Sequence, residues 1–423
     1  MRKINIDFLL VILIFIETLC NTYLLQTKLY YTVSILYFLS GLGLCFLPLL
    51  LPVADNLKAR RNVILPAFLS LFFLGLMLYY LPAQYRAVPV DYHIADMLPR
   101  IKIYAERFLN GRYVYDDVKE IWNGNLPPYL PATWMPFIPA VIFGFDMRWV
   151  PACVFMISLF LLFWLVKDSN NWVKNLLILC LPVSLFFLIN FHLVQDWGFW
   201  AMTYEGLIAG YYLLLCLAII SWNPYLIGAA ISLCLLSRFS LAFWVPFFLL
   251  FIWWRESFLF AVKVGGVILV LVAGLFVFPF LLGHVDVFLK TIDQYRVVAA
   301  DFWSRNRIDN KEYNQVGLYK FFTSNQLPLL RNVQLVTTML APPLFLAVSA
   351  RYFPSFENKK ILIGLCSLKI TLLFFFSFIE MPFHYLFITP TIISYAIGFY
   401  YLSLDGSRSG ANTGAEGIST DGH

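Results

Sequence analysis

Apolar runs near the length of a membrane span recur along the chain. They fall near residues 7–25, 31–52, 63–81, 149–166, 174–190, 206–221, 224–238, 240–254, 258–282, 332–350, 361–379 and 383–402. A helix crossing the hydrocarbon core needs about 20 predominantly apolar residues, so the pattern predicts about twelve transmembrane helices, some with short cores. Two long polar intervals interrupt the series, about 82–130 and 283–331. A further apolar stretch, Pro131 to Gly144, is too short and too rich in proline (Pro131, Pro136, Pro139) for an ordinary span. It is expected to form a re-entrant or interfacial helix, tolerated where protein or a water-filled cavity satisfies its backbone.

Lys and Arg in the short loops set the orientation. Arg2, Lys3, Lys58, Arg60, Arg61, Lys167, Lys174, Arg255, Arg351, Lys359 and Lys360 fall on one side if residues 131–144 do not cross. That side is then cytoplasmic, with both termini in and both long intervals outside. Residues 1–402 read as a single transmembrane domain and 403–423 as a disordered cytoplasmic tail, Gly/Ser-rich and without apolar periodicity.

Composition agrees. Of 423 residues, 61% are hydrophobic and 13% charged, against about 25% charged in a soluble domain. This excludes a soluble enzyme, a disordered protein and a secreted disulfide scaffold. The net charge of +6 is dispersed between apolar runs, which argues against nucleic-acid binding. The seven cysteines all lie in apolar segments and form no CxxC pair, so neither a metal site nor a disulfide framework is expected. The charged-then-apolar start lacks a small-x-small cleavage site and reads as a retained first span. Charges within the runs are few: Glu17, Arg238, Lys263, Lys369 and Glu380. Most lie near predicted ends, where snorkelling is the simple expectation.

Candidate chemistry gathers in the polar intervals. In the first, Asp91 lies about ten residues beyond the third apolar run and Asp96 five later. Ile94, Met97, Leu98, Ile101, Ile103, Tyr104, Phe108 and Leu109 fit an amphipathic helix on the membrane surface, with Gly111 placed to end it. A carboxylate beside a membrane-embedded cavity suits general-base activation of an acceptor hydroxyl. In the second, Arg296, Arg305, Arg307, Lys311, Lys320 and Arg331 offer cations for a phosphate. Arg238 is set between apolar runs, where an unpaired charge is costly. A third polar patch, Asn190 to Glu205, carries Trp197, Trp200 and Tyr204, read as an interfacial aromatic belt. His192, Asp196 and His93 show no recognised ligand spacing, so no metal site is read from sequence.

The order of parts in the first interval adds a resemblance. An Asp follows a span, then come a helix, Gly111-Arg-Tyr-Val-Tyr115, and Leu126-Pro-Pro-Tyr-Leu-Pro131 leading into Trp134-Met-Pro136. This resembles the GT-C superfamily of membrane glycosyltransferases, most closely its bacterial polyprenol-phosphate-dependent mannosyltransferase branch. The resemblance implies a role for Asp91 as catalytic base. Tyr115 with Asp116 takes the turn position, and Tyr129 with Pro131 the tyrosine-proline segment. Leu235-Leu-Ser-Arg238-Phe-Ser240 resembles the family's small-residue and basic step, and His384-Tyr385 with Pro390 its terminal aromatic-proline helix. The match covers roughly residues 82–402, but two extra spans precede the acidic loop.

The expectation is an all-α, GT-C-like hexosyltransferase of the bacterial inner membrane. It would move a sugar from a polyprenyl-phosphate carrier to a glycan, lipid or protein acceptor outside, with no cofactor. A multi-span polysaccharide polymerase or ligase, and a lipid-linked sugar transporter, are the rival expectations. Asp91 and Asp96 are the catalytic candidates. Tyr115, Tyr129, Arg238, Arg296, Arg305, Arg307 and His384 are the substrate-binding ones.

Overall fold

The structure, a computed structural model, describes residues 2–22, 30–50, 63–119, 121, 129–165, 172–305, 316–353 and 359–404. Each apolar run coincides with a helix. In chain order these are α1 (Arg2–Cys20), α2 (Tyr30–Phe46), α3 (Ile64–Ala87), the interval helix α4 (Met97–Leu109) and the broken α5 (Pro131–Phe143). Then follow α6 (Trp149–Phe163), α7 (Trp172–Val194), α8 (Glu205–Ser221), α9 (Pro224–Leu235) and α10 (Val245–Arg255). α11 (Phe258–Leu281), the second interval helix α12 (Val285–Arg305), α13 (Leu327–Tyr352), α14 (Lys360–Ser377) and α15 (Ile388–Ser403) complete the described chain. Among the described residues there is no strand.

Among the described residues, seven helical segments are long and apolar enough to cross a membrane: Tyr31–Leu49, α3, α7, α11, Ser324–Tyr352, α14 and His384–Ser403. The helices α6, α8, α9 and α10 are apolar but shorter. At 12 residues, α9 rises only about 18 Å. α5 is a helix interrupted by a 3₁₀ turn at Met135–Phe137, and Gly144 ends it in the left-handed conformation (φ 68°). Its 13 positions rise about 20 Å, short of a hydrocarbon core of about 30 Å.

Burial runs against mean hydropathy, which is 2.7 for α11 and 1.3 for the segment His384–Ser403. The window His384–Ser403 is 100% buried, whereas that of α11 is only 11% buried. α15 is therefore the axle of the bundle, packed by α1, α7, α8 and α14. α11 turns Leu269, Val270 and Phe278 outward. Such a surface is at home in lipid, where tails are as apolar as leucine.

Helices α6 and α8 approach closely at Gly206 and Gly210. A Cβ at Gly206 would lie 3.2 Å from the Pro151 carbonyl oxygen, and one at Gly210 would lie 3.1 Å from the Phe155 nitrogen. This small-xxx-small spacing lets two backbones meet where side chains would hold them apart.

Buried polar groups tie the axle to its neighbours. Lys369 and Glu17 form a wholly buried ion pair. The Lys369 ammonium also donates to the Pro390 carbonyl (2.8 Å), and the Ser394 hydroxyl donates to Glu17 Oε2 (2.6 Å). Thr18 and Ser184 both meet the Tyr395 hydroxyl, at 2.6 and 2.8 Å. Snorkelling therefore does not describe Glu17 or Lys369, and Glu380 is likewise buried and paired with Arg331. The cause is distance in sequence: the partners lie far apart along the chain and become neighbours only in the fold. Exposed Lys263 does fit the snorkelling expectation.

The basic short-loop residues that the structure describes gather at one end of the bundle. There Lys359 donates to the Leu49 carbonyl (2.7 Å), Lys174 to the Leu404 carbonyl (2.6 Å), and Lys360 pairs with Glu256 (2.6 Å). The opposite end carries the polar intervals.

Candidate functional site

At that opposite end, α4 begins at Asp96 and lies against α5. It turns Leu98, Ile101, Tyr104 and Ala105 inward, whereas Ile94 in the preceding turn and Phe108 and Leu109 in the last turn, counted on the same apolar face from sequence, are exposed. Arg100 is buried on this face and pairs with the part-exposed Asp96 carboxylate at 2.9 Å. Its guanidinium lies 5.8 Å from the Tyr129 ring. Tyr129 in turn packs edge-on against Tyr204, with centroids 5.3 Å apart. Burial pushes the Tyr104 and Tyr129 phenols well above the ordinary tyrosine range, so both stay neutral hydrogen-bonding groups.

The tyrosine-proline segment and the basic step meet directly. The Ala132 amide donates to the Leu236 carbonyl (3.0 Å), and the Thr133 hydroxyl donates to that of Ser237 (3.3 Å). Tyr211 closes the junction by donating to the Ala132 carbonyl (3.1 Å). This docking delivers Arg238 into the bundle, where it pairs with the fully buried Glu205 that opens α8. Tyr204 and Tyr385 stand beside that pair, and both lie within electrostatic reach of Asp96 as well.

The second interval closes the site from its other side. Tyr295 on α12 lies within reach of Arg238, Arg331 and Glu380. Arg331 pairs with Glu380 and donates to the Arg296 carbonyl (3.3 Å). Trp303 donates to the Glu380 carbonyl (2.6 Å), fastening α12 to the loop before α15. The arrangement has one part-exposed carboxylate at its mouth, two arginine–glutamate pairs deeper in, and tyrosine rings between.

Of the residues singled out from sequence, Asp96, Tyr129 and Arg238 come together here. Asp91 lies in the turn that precedes α4, where its Oδ1 accepts from the His93 amide (2.9 Å). Tyr115 is buried against Phe280 and Phe288, and its hydroxyl accepts from the Trp134 indole (3.2 Å). The Arg296 side chain is exposed and paired with Asp293 (3.2 Å). The side chain of Arg305, and all of Arg307 and Lys311, lie outside the described residues. Burial lowers the Lys320 ammonium to about 7, so near neutral pH it is only partly charged. The aromatic belt is corrected in part. Trp197 is exposed, but Trp200 and Tyr204 are buried because the turn after α7 folds them back into the bundle.

Glu205 was missed as a partner for Arg238. Its signal was a lone acid opening an otherwise apolar helix, which must find a cation. A second cluster was also missed: His192, Asp196 and His384 converge beside the site. The i, i+4 spacing of His192 and Asp196 was visible in the sequence, but His384 lies 188 residues beyond Asp196.

The Tyr115 geometry gives a test of its implied role. Tyr115→Phe leaves the Trp134 indole N–H without its partner and is expected to cost about 1–3 kcal/mol of stability. Because the hydroxyl is buried against the Trp134 indole, Phe280 and Phe288, activity per folded molecule should be unchanged. Unfolding and turnover measured on the same preparation check both statements.

Comparison with models of protein families, with curated proteins and with solved structures finds no match.

Proposed function

We propose that the chain is a membrane glycosyltransferase of the GT-C kind, moving a sugar from a polyprenyl-phosphate carrier to an acceptor hydroxyl at the external face of a bacterial plasma membrane. The observation that carries the reading is that Tyr204 and Tyr385, at the end of a lipid-facing bundle, lie within electrostatic reach of both Asp96 and the Arg238–Glu205 pair. The acceptor hydroxyl attacks the anomeric carbon and gives its proton to Asp96. The bond from that carbon to the carrier phosphate breaks, and the phosphate leaves with the electron pair. Arg238 and Arg331 stabilise the charge that develops on it. Each guanidinium has five N–H donors, more than one glutamate occupies. Preorganised cations in a dry site are worth on the order of 3 kcal/mol of transition-state stabilisation.

Geometry favours Asp96 as the base over Asp91, the position that the resemblance implies. Each carboxylate has one oxygen engaged, Asp96 Oδ2 by Arg100 and Asp91 Oδ1 by the His93 amide, but it is Asp96 that lies within reach of Tyr204 and Tyr385 beside Arg238.

The reading is tested with purified protein in liposomes supplied with a radiolabelled polyprenyl-phosphate hexose and envelope glycan acceptors. Label appearing in a new glycosidic linkage is the expected result. Label that crosses the bilayer with no new linkage would instead make the chain a transporter. Chain extension sensitive to Arg296→Ala but not to changes at Asp96 would make it a polymerase.

A further inference from the structure

A second set of side chains lies at the same end of the bundle, outside the transfer reaction just described. His192 sits in the last turn of α7, Asp196 follows in the next turn, and His384 opens the final span. His384 Nδ1 lies 2.8 Å from Asp196 Oδ2, and His192 Nδ1 lies 3.1 Å from the same oxygen. Both histidines are buried, and the Asp196 side chain is 16% exposed.

With both imidazoles neutral, the protons in this cluster do not suffice for its contacts. His384 Nε2 lies 2.7 Å from the Asn21 carbonyl oxygen. A carbonyl only accepts, so Nε2 carries the hydrogen and donates. A neutral His384 then directs the Nδ1 lone pair at a carboxylate oxygen, and two acceptors at that distance repel unless a cation lies between them. His192 adds a second ring nitrogen to the same oxygen. Its Nε2 is buried with no hydrogen-bond partner among the described residues, so no protein group fixes its proton there or on Nδ1. Three electron-pair donors thus converge on one point, all within 4.8 Å of one another.

We propose that His192, Asp196 and His384 bind a divalent transition-metal ion of the zinc class. Two imidazoles and one carboxylate are a donor set that suits zinc and its neighbours. Ligand atoms on a tetrahedral zinc ion stand about 3.3 Å apart; the two imidazole-to-carboxylate separations here, 2.8 and 3.1 Å, are a few tenths of an ångström shorter, and a small outward shift of the side chains would admit the ion. The outer contacts match the role. A ligating histidine donates its other N–H to a carbonyl or carboxylate, as His384 does to Asn21, and Asp196 Oδ1 accepts from the Gly198 amide (3.2 Å). The exposed edge of Asp196 gives the ion a route in. The ion joins the ends of α1, α7 and the final span, and so holds Tyr385, the residue after His384, beside Arg238. It positions the transfer site and takes no part in bond making.

The test uses untagged full-length protein in detergent, stripped with a chelator and titrated with Zn²⁺ alone, then with Co²⁺ alone. One Zn²⁺ per chain, a higher thermal midpoint on Zn²⁺ addition and the visible absorption of tetrahedral Co²⁺ are expected. Asp196→Asn and His384→Gln should weaken binding about tenfold to a hundredfold, whereas exposed His93→Gln should bind as the wild type does. Wild-type protein that takes up no metal, or binds it equally in all these variants, would overturn the proposal and leave a proton on His384 as the bridging cation. The wild-type stoichiometry and midpoint decide the matter even if a variant fails to fold, and neither depends on the transferase reading.

Discussion

Lys369→Met is expected to destabilise the protein by about 3–5 kcal/mol, the range found when one member of a buried ion pair is removed. Both partners are fully buried, so the substitution leaves Glu17 as an uncompensated carboxylate in the centre of the bundle. The Ser394 hydroxyl still donates to it (2.6 Å), but a single neutral donor does not replace an ammonium. The Pro390 carbonyl loses the lysine donor too. Replacing both charges, as in Lys369→Met with Glu17→Leu, should recover most of the loss, because paired burial of opposite charges roughly breaks even against apolar packing. Denaturant unfolding in detergent of the single and double variants measures the difference. Equal stability of the single variant and the wild type would show that the pair does not hold α1 to α14.

Arg238→Ala is expected to act on stability and activity at once, and a second substitution should separate the two. Alone it leaves Glu205 buried without its cation, again about 3–5 kcal/mol. Arg238→Ala combined with Glu205→Ala removes the orphaned charge and should fold nearly as well as the wild type. Transfer should stay low in the double variant, because the lost guanidinium served the leaving phosphate as well as Glu205. Arg238→Lys should rescue folding better than transfer, since a point charge does not reproduce the planar fork that grips a carboxylate and a phosphate oxygen together. Stability from unfolding and turnover per folded molecule, measured on each variant, distinguish these outcomes. Full transfer by the double variant would remove Arg238 from the reaction.

The helices were legible because lipid and protein core both select apolar side chains, so length alone marks a candidate span. The same physics hid their places in the bundle. α11 and the segment ending in α15 both qualify as spans by length, yet the more apolar of the two faces outward and the other is the axle. Asp96 and Arg238 stood out as charges beside apolar segments and Tyr129 through the family resemblance, and the fold links them through Arg100 and Tyr204. Asp91, marked by its position after a span, lies in a local turn, and Tyr115, marked by the family resemblance, packs against Tyr104 with its hydroxyl on the Trp134 indole. Pairs such as Glu17 with Lys369, 352 residues apart, leave no trace in local spacing. The His192–Asp196–His384 cluster was half visible for the same reason.

The central claim, that the Asp96 and Arg238 cluster carries out transfer, is tested most directly by turnover of Asp96→Asn against Asp91→Asn. Both are assayed as folded, membrane-inserted protein with a polyprenyl-phosphate sugar. Loss of a positioned general base typically lowers the rate by about 10²–10⁴-fold. That loss is expected for Asp96→Asn, with Asp91→Asn staying within a few-fold of the wild type. Wild-type turnover by Asp96→Asn would contradict the account, and loss in Asp91→Asn alone would return the base to the position that the family resemblance implies.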